Sequence, residues 1–319
     1  MLKKNIVEKY FIKSVNVFLS ILFMVFLSIT NVQSQETNFQ GLKLKSNVKS
    51  YILKTYIAQK EALKISKESL AYNEYELVTF GTNGNISEIN YYNSIDTFIS
   101  KKLYQYDSNN NLAKVVFTDS TNQLYEYDTN GNQIKFSEYN NNDELVGLEM
   151  YEFDVVGNRT SATSYNTNKF ELEINGAIAS ITNYKYDDLG NKIEEINYNS
   201  KEVINYKVTF KYDNKNIAEM ESFDTEGKLS SKSTFKYDDK NNVSEVNVFI
   251  ETPPLTEIEE VNENGVKYTQ ETTYASDELY LENVITYTYK YDSRGNWIEK
   301  IKIENEIPME ITTREFVYY

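Results

Sequence analysis

Seven aspartates stand in one recurring setting: Asp107, Asp128, Asp154, Asp187, Asp213, Asp238 and Asp292. Each follows a Tyr or Phe and precedes an Asn- or Gly-bearing turn. Carboxylates so placed have three chemistries open to them. A pair at a set separation, one carboxyl desolvated, hydrolyses glycosides. A loop of Asp and Asn oxygens binds calcium. A single Asp can also accept the N–H groups of the turn that follows it. Identical recurrence favours the last, because a catalytic pair is needed only once. Asp128, Asn130 and Asn132, like Asp107, Asn109 and Asn111, resemble the start of a calcium loop. Neither copy has both the Gly at the sixth position and the Glu at the twelfth that an EF-hand requires. Nucleophilic sites that need His or Cys are excluded, as are disulfides and zinc sites with nitrogen or sulfur ligands, because the chain has neither residue. No Walker loop and no Gly-rich strand-to-helix fingerprint is present. The expectation is a protein without catalytic residues, cofactor or metal. A carboxylate-only glycoside hydrolase on the same scaffold is the rival, and the irregular stretch from Glu257 to Asp277 is where an unrepeated acid pair would lie.

The element that positions these aspartates is a hairpin. The aromatic residue before each Asp recurs at steps of 21, 26, 33, 26, 25 and 54 residues. The last step is two periods long, which places a hidden copy near the Asn264-Gly265 turn signal. Ahead of each Asp the pattern has period two: Tyr287, Tyr289 and Tyr291 alternate with Thr286, Thr288 and Lys290. One face is therefore aromatic and the other wet. Three residues after the Asp stands Gly131, Gly157, Gly190 or Gly295, or else Asn110, Asn216 or Asn241, the residue types that accept positive φ. A type I turn closed by a left-handed residue follows. The second strand ends on a large residue such as Tyr139, Tyr165 or Tyr198. Within it Ile193 and Ile196 stand three apart, a spacing that signals a β-bulge.

Units occupy 78–102, 103–123, 124–149, 150–182, 183–208, 209–233, 234–260, 261–287 and 288–319. A hairpin of this size cannot repay its ordering entropy alone, so neighbours must stack and share hydrogen bonds. The reading is an all-β protein of antiparallel hairpin repeats in a curved or spiralled sheet, one domain over 35–319. Residues 47–59 form one edge strand and residues 310–319 the other. Residues 60–70 read as strand or loop in preference to a short helix. The aromatic rows read as core, with rings at the rim open to sugar stacking.

The chain begins with Lys3, Lys4, Lys9 and Lys13, an apolar run from Val15 to Ile29, and small residues at Val32 and Ser34. This is the pattern of a secretory signal peptide over 1–34. The run is short for a membrane span, which takes about 20 apolar residues. With 48 acidic against 33 basic side chains the net charge is −15, which repels nucleic acid. No membrane span is expected after signal cleavage.

The units LYEYDTNGN from Leu124, NYKYDDLGN from Asn183 and TYKYDSRGN from Thr288 resemble the YD repeats of Rhs and YD-repeat proteins, in particular small exported Bacteroidetes relatives. The resemblance runs from about Val48 to Tyr319. In the large relatives such units wind into a β shell, and some bind carbohydrate or enclose a toxin. Eight to ten units look too few for a closed shell, and no toxin domain follows them. The signal peptide, the acidic charge and the lack of catalytic side chains together point to a non-catalytic exported binding or structural protein, with a glycan or another envelope component as partner. A spacer in a secretion- or toxin-related assembly is the further alternative.

Overall fold

The computed structural model describes residues 42, 44, 45, 47–61, 64–167, 178–251, 255–263, 266–274 and 279–319, with side chains left out at 61, 72, 73 and 255–274. The signal segment at 1–34 lies outside these residues. Twenty strands are present among the described residues, from 6 to 17 residues long. They begin with β1 (Val48–Glu61), β2 (Lys64–Phe80), β3 (Ile86–Asn93), β4 (Phe98–Tyr106), β5 (Leu112–Phe117), β6 (Asn122–Tyr127) and β7 (Gln133–Tyr139). Next come β8 (Leu145–Phe153), β9 (Arg159–Tyr165), β10 (Ile178–Tyr186), β11 (Lys192–Asn199), β12 (Ile204–Asp213) and β13 (Asn216–Phe223). The last are β14 (Leu229–Tyr237), β15 (Val243–Glu251), β16 (Leu255–Glu263), β17 (Val266–Tyr274), β18 (Leu279–Tyr291), β19 (Trp297–Glu304) and β20 (Ile307–Tyr318).

Eighteen of these strands form one antiparallel sheet in chain order. That sheet is closed. β1 pairs with β2 on one side and with β20 on the other, from Val48 opposite Tyr318 to Ile57 opposite Glu310. The expected open, curved or spiralled sheet with edge strands at 47–59 and 310–319 is therefore corrected to a barrel, and the unit number suffices for closure. The physical reason is that an open single sheet leaves two rows of unpaired N–H and C=O groups, and pairing the two edges removes both.

The hidden copy near 261–287 falls on a hairpin that stands outside the ring. β16 and β17 do pair as a hairpin, but as a separate two-stranded sheet, while β15 pairs directly with β18. The unit at 261–287 is thus no ring member of its own. Its sequence lacks the Tyr-x-Tyr-Asp block that the ring hairpins share. Residues 64–70, left between strand and loop by the sequence, are strand, paired with β1 where the β1–β2 hairpin runs past the ring.

Register carries one face continuously around the barrel. Tyr104 pairs with Val115, Tyr125 with Phe136, Tyr184 with Glu195, and Phe210 with Met220. The opposite face carries Lys185 against Glu194, Lys211 against Glu219 and Lys290 against Glu299. The aromatic face holds the desolvated groups, and side chains converge on the inside of a closed barrel and diverge outside. The aromatic face is therefore the inner wall. Side chains fill a barrel of about eight strands, whereas 16–18 strands leave an interior channel. Accordingly, both buried clusters are local patches of wall, one around Val48, Val78 and Phe80, the other around Val208, Phe210 and Met220.

Ile311 sits at the closing seam, 3% exposed, between Ile301 and Tyr56. Ile311→Ala should cost about 2–5 kcal/mol. Urea unfolding followed by circular dichroism and by tryptophan fluorescence should give coincident transitions. Separate midpoints for the two probes would show that closure does not couple the strands.

Candidate functional site

At one rim of the barrel the repeated aspartates cap the hairpin turns. Asp107 Oδ1 accepts the N–H groups of Asn109 and Asn111 at 2.9 and 2.8 Å, and Oδ2 accepts the side-chain amide of Asn111 at 3.1 Å. Asp128, Asp154 and Asp187 repeat this with Asn132, Asn158 and Asn191. Asp238 and Asp292 cap likewise, and each also accepts a hydroxyl, from Tyr291 at 2.7 Å and from Tyr318. The left-handed residue falls three positions after the Asp: Gly131 (φ 85), Gly157 (φ 92), Gly190 (φ 79), Gly295 (φ 86), Asn110 (φ 71) and Asn241 (φ 67). Beyond each turn the second strand slips register by one residue, so that Ile193 is the extra residue between Lys192 and Glu194.

Asp213 departs from the pattern. Its turn is one residue shorter, Asp213 pairs with Asn216, and the positive φ falls on Asn214 at 56°. Asn216 is the first residue of β13, not the left-handed residue that the spacing suggests, and its side chain reaches sideways to Asn241 of the next turn. The sequence reading also gave no task to the Asn that ends the motif. At Asn111, Asn132, Asn158, Asn191 and Asn242 that residue donates both its backbone N–H and its side-chain amide to the Asp, whereas Asn296 gives Asp292 its N–H and turns its amide to Lys45 O. Its constant place next to the left-handed residue was the available signal.

With Asp107 and Asp128 oxygens already accepting N–H groups, these turns present no oxygen cage for calcium. Among the described residues no group of three or more Asp or Glu could hold a metal ion. The donors hold the carboxyls below the ordinary Asp range. The largest contribution comes from the Asn side-chain amide at Asp128 and Asp187, and from the Asn backbone N–H at Asp107 and Asp154. At Asp238 and Asp292 burial pushes upward, and the Tyr hydroxyl and turn N–H groups together outweigh it.

The inner wall begins where the turns end. Its tyrosines stay partly exposed while their hydroxyls are bound. Tyr106 donates to Ile86 O at 2.8 Å, Tyr127 to Leu112 O at 3.0 Å, Tyr212 to Lys192 O at 2.9 Å and Tyr237 to Ile217 O at 2.9 Å. Each reaches the start of the strand before it, so a hydroxyl ladder ties one unit to the last. Phe153 interrupts the ladder. Deeper in the wall Tyr151 donates to Glu149 at 2.7 Å, and Tyr206 to the buried Glu195 at 2.9 Å. Burial, first of all, pushes Tyr125, Tyr127, Tyr212 and Tyr287 up to about 12, and Tyr104, Tyr151, Tyr184, Tyr206 and Tyr289 further still. Basic side chains lie over the rings: Arg159 is 4.0 Å from the Tyr151 centroid and Lys192 4.8 Å from Phe210. Such a wall presents flat apolar faces edged with fixed polar groups. Glu76 is the described carboxyl that burial pushes up, and its electrostatic neighbour is Lys102 rather than a second acid. The acidic stretch from Glu257 to Glu263 and the rest of the irregular segment to Asp277 lie among side chains outside the described set.

No family model and no curated protein matches the chain. Among solved structures it is similar to a porin-like protein from Bacteroides uniformis, at 12% identity and TM-score 0.38, over 86% of this chain and 99% of that one. A porin-like protein from Bacteroides vulgatus shows 9% identity and TM-score 0.37, over 86% and 99%. The TcdB2-TccC3 structure shows 12% identity and TM-score 0.30, over 82% of this chain and 20% of that one, so the chain spans about a fifth of it. The functional reading rests on the chain's own residues.

Two outcomes test the rim and the wall. A Cβ at Gly190 would meet nothing closer than 3.8 Å, so backbone conformation, not space, decides there. Gly190→Ala should cost about 1–2 kcal/mol through its left-handed φ. Gly190→Asn should cost less, because Asn110 and Asn241 occupy that position in other copies; equal losses in chemical denaturation would refute this account of the turn. The second outcome concerns pH. The depressed Asp groups stabilise the fold above their unfolded pKa of about 3.9 and lose that contribution as pH falls through the folded values. The raised Tyr groups stabilise it below about 10 and lose that contribution as pH climbs toward the folded values. With no His or Cys, and with Glu76 replaced by Gln to remove the one described carboxyl that burial pushes up, the melting temperature should be flat from about pH 5 to 9 and fall on both sides. A midpoint transition near pH 6 or 7 would contradict it.

Proposed function

We propose that this chain is a non-catalytic, exported binding protein whose barrel offers its aromatic inner wall to a saccharide or another envelope component. The observation that supports this most is the wall itself. Tyrosine rings stay half-exposed while their hydroxyls are fixed by the neighbouring strand, so flat faces are presented at little entropic cost. The secretory pattern at 1–34 supports export, and the acidic charge speaks against nucleic acid.

The outer face favours water over lipid. A membrane barrel needs an apolar band about 25 Å tall on its outside. Here Lys185 and Lys207 pair with Glu194 at 2.6 and 2.9 Å, Lys236 pairs with Glu245 at 2.7 Å, and Lys290 with Glu299 at 2.6 Å, all within strands of that face. Exposed pairs of this kind add about 0–1 kcal/mol each. Their value is in keeping the outside of the ring soluble.

Calorimetric titration against a panel of polysaccharides should show saturable binding. It should weaken at least about tenfold, or 1.4 kcal/mol, when inner-wall Tyr151 is replaced by Ala. Replacement of outward Lys185 by Ala should leave it unchanged. Silence across neutral and acidic saccharides and envelope extracts would end the proposal.

A further inference from the structure

The last ring unit breaks the repeat on its inner face. Eight residues after the capping Asp, other units carry Val115, Phe136, Ala162, Val246 or the acidic Glu195, whereas this one carries the basic Lys300. Five residues after it, where Leu112 and Val243 stand elsewhere, is Trp297, the one tryptophan of the chain. Arg314 of β20 lies over that indole, its guanidinium carbon 3.7 Å from the ring centroid and 5.2 Å from the Tyr51 ring. Lys300 Nζ lies 5.7 Å from Trp297 and 5.8 Å from Tyr287. Two cations thus share one aromatic patch.

Neither side chain reaches a carboxylate at ion-pair distance. Among the described residues no side-chain hydrogen bond or ion pair engages Arg314 or Lys300, and the Arg314 Nε is buried with no acceptor. Glu310 attracts Lys300 without reaching ion-pair distance, and Lys302 is taken by Glu304 at 3.4 Å. The contrast with the outer face is sharp, since lysines there have found carboxylates in a chain with acids to spare. Burial, chiefly, lowers both groups, Arg314 to about 10; Arg314 and Lys302 lower Lys300 further against the pull of Glu310, while Tyr51 and Tyr289 pull Arg314 upward. Unpaired, desolvated cations are costly unless something else supplies the counter-charge.

We infer that Arg314, Lys300 and Trp297 form an anion-binding site on the inner wall, and that it takes the carboxylate or sulfate of an acidic saccharide. A guanidinium offers a planar donor fork to such an oxyanion, and the ammonium offers a second charge from beside it. The surrounding rings exclude water and strengthen both contacts. The saccharide as carrier rests on the proposed function; the need for an oxyanion rests on the two cations alone.

Because Trp297 is the sole tryptophan, its fluorescence reads this patch directly. The full chain would be titrated with a uronate oligosaccharide, a sulfated oligosaccharide and a neutral one, in parallel with calorimetry. Saturable change with an acidic oligomer, weakened at least tenfold in Arg314→Gln and in Lys300→Gln and by added salt, is the expected result; the two acidic arms tell carboxylate from sulfate. Should Arg314→Gln fold poorly, Lys300→Gln carries the test, since Lys300 makes no bond to lose. No saturable response to either acidic oligomer, or variants that bind as the parent does, overturns the site. Heat of binding from the neutral oligomer without a tryptophan response would overturn the site while leaving the saccharide reading in place. Silence in both channels for every oligomer would remove both.

Discussion

Everything in this barrel depends on a single layer of backbone hydrogen bonds that must join up with itself. No second sheet or helix layer covers either face among the described residues, so each strand is held only by its two neighbours. An open version would expose an edge at β1 and another at β20. Their pairing joins the two ends of the chain-ordered ring, and the chain reinforces it locally. Tyr319 N–H reaches Asn47 O at 3.1 Å, and Asn296 takes Lys45 N–H at 2.6 Å while donating to Lys45 O at 2.8 Å. Lys45 and Asn47 thus meet, without a covalent link, the strand ends that a capped turn meets elsewhere on that rim.

The division of labour between faces follows from closure. Inside, rings and polar groups crowd together, and hydroxyls must be given acceptors because water cannot serve all of them. The ladder of Tyr106, Tyr127, Tyr212 and Tyr237 meets that need with backbone carbonyls. Outside, lysine and glutamate meet across strands in water. The same period-two pattern thus serves solubility on one side and a fixed aromatic surface on the other.

The hairpins were legible in the sequence because their signals are local. Asp, a left-handed Gly or Asn three residues on, and alternating aromatics specify a turn and two strands within about 20 residues. Even the bulge showed, in the uneven spacing of Ile193 and Ile196. Asp213 was misread because one missing residue changes the loop class while leaving the Tyr-Asp pair in place. Closure was not legible, since β1 and β20 are joined by register alone and carry no turn motif. Nor was the exclusion of β16 and β17, because an Asn-Gly turn predicts a hairpin without saying whether the ring has room for it. The cationic patch was visible only in outline. The sequence shows a lone Trp297 and a Lys300 where other units carry apolar or acidic residues, but the convergence of Lys300 with Arg314 needs the pairing of β19 with β20.

A ring built from identical hairpins has a calibre that comes in steps. Each unit contributes two strands at about 4.8 Å spacing, tilted to the axis, so gain or loss of one whole unit alters the diameter by about 3–4 Å. Nothing between those steps is available, because half a hairpin would bring parallel edges together at the seam. Gene duplication of a unit would therefore act as a gauge change on the channel, leaving the wall chemistry of each stave untouched. The bore of such a protein is counted out in sequence before any residue inside it is chosen.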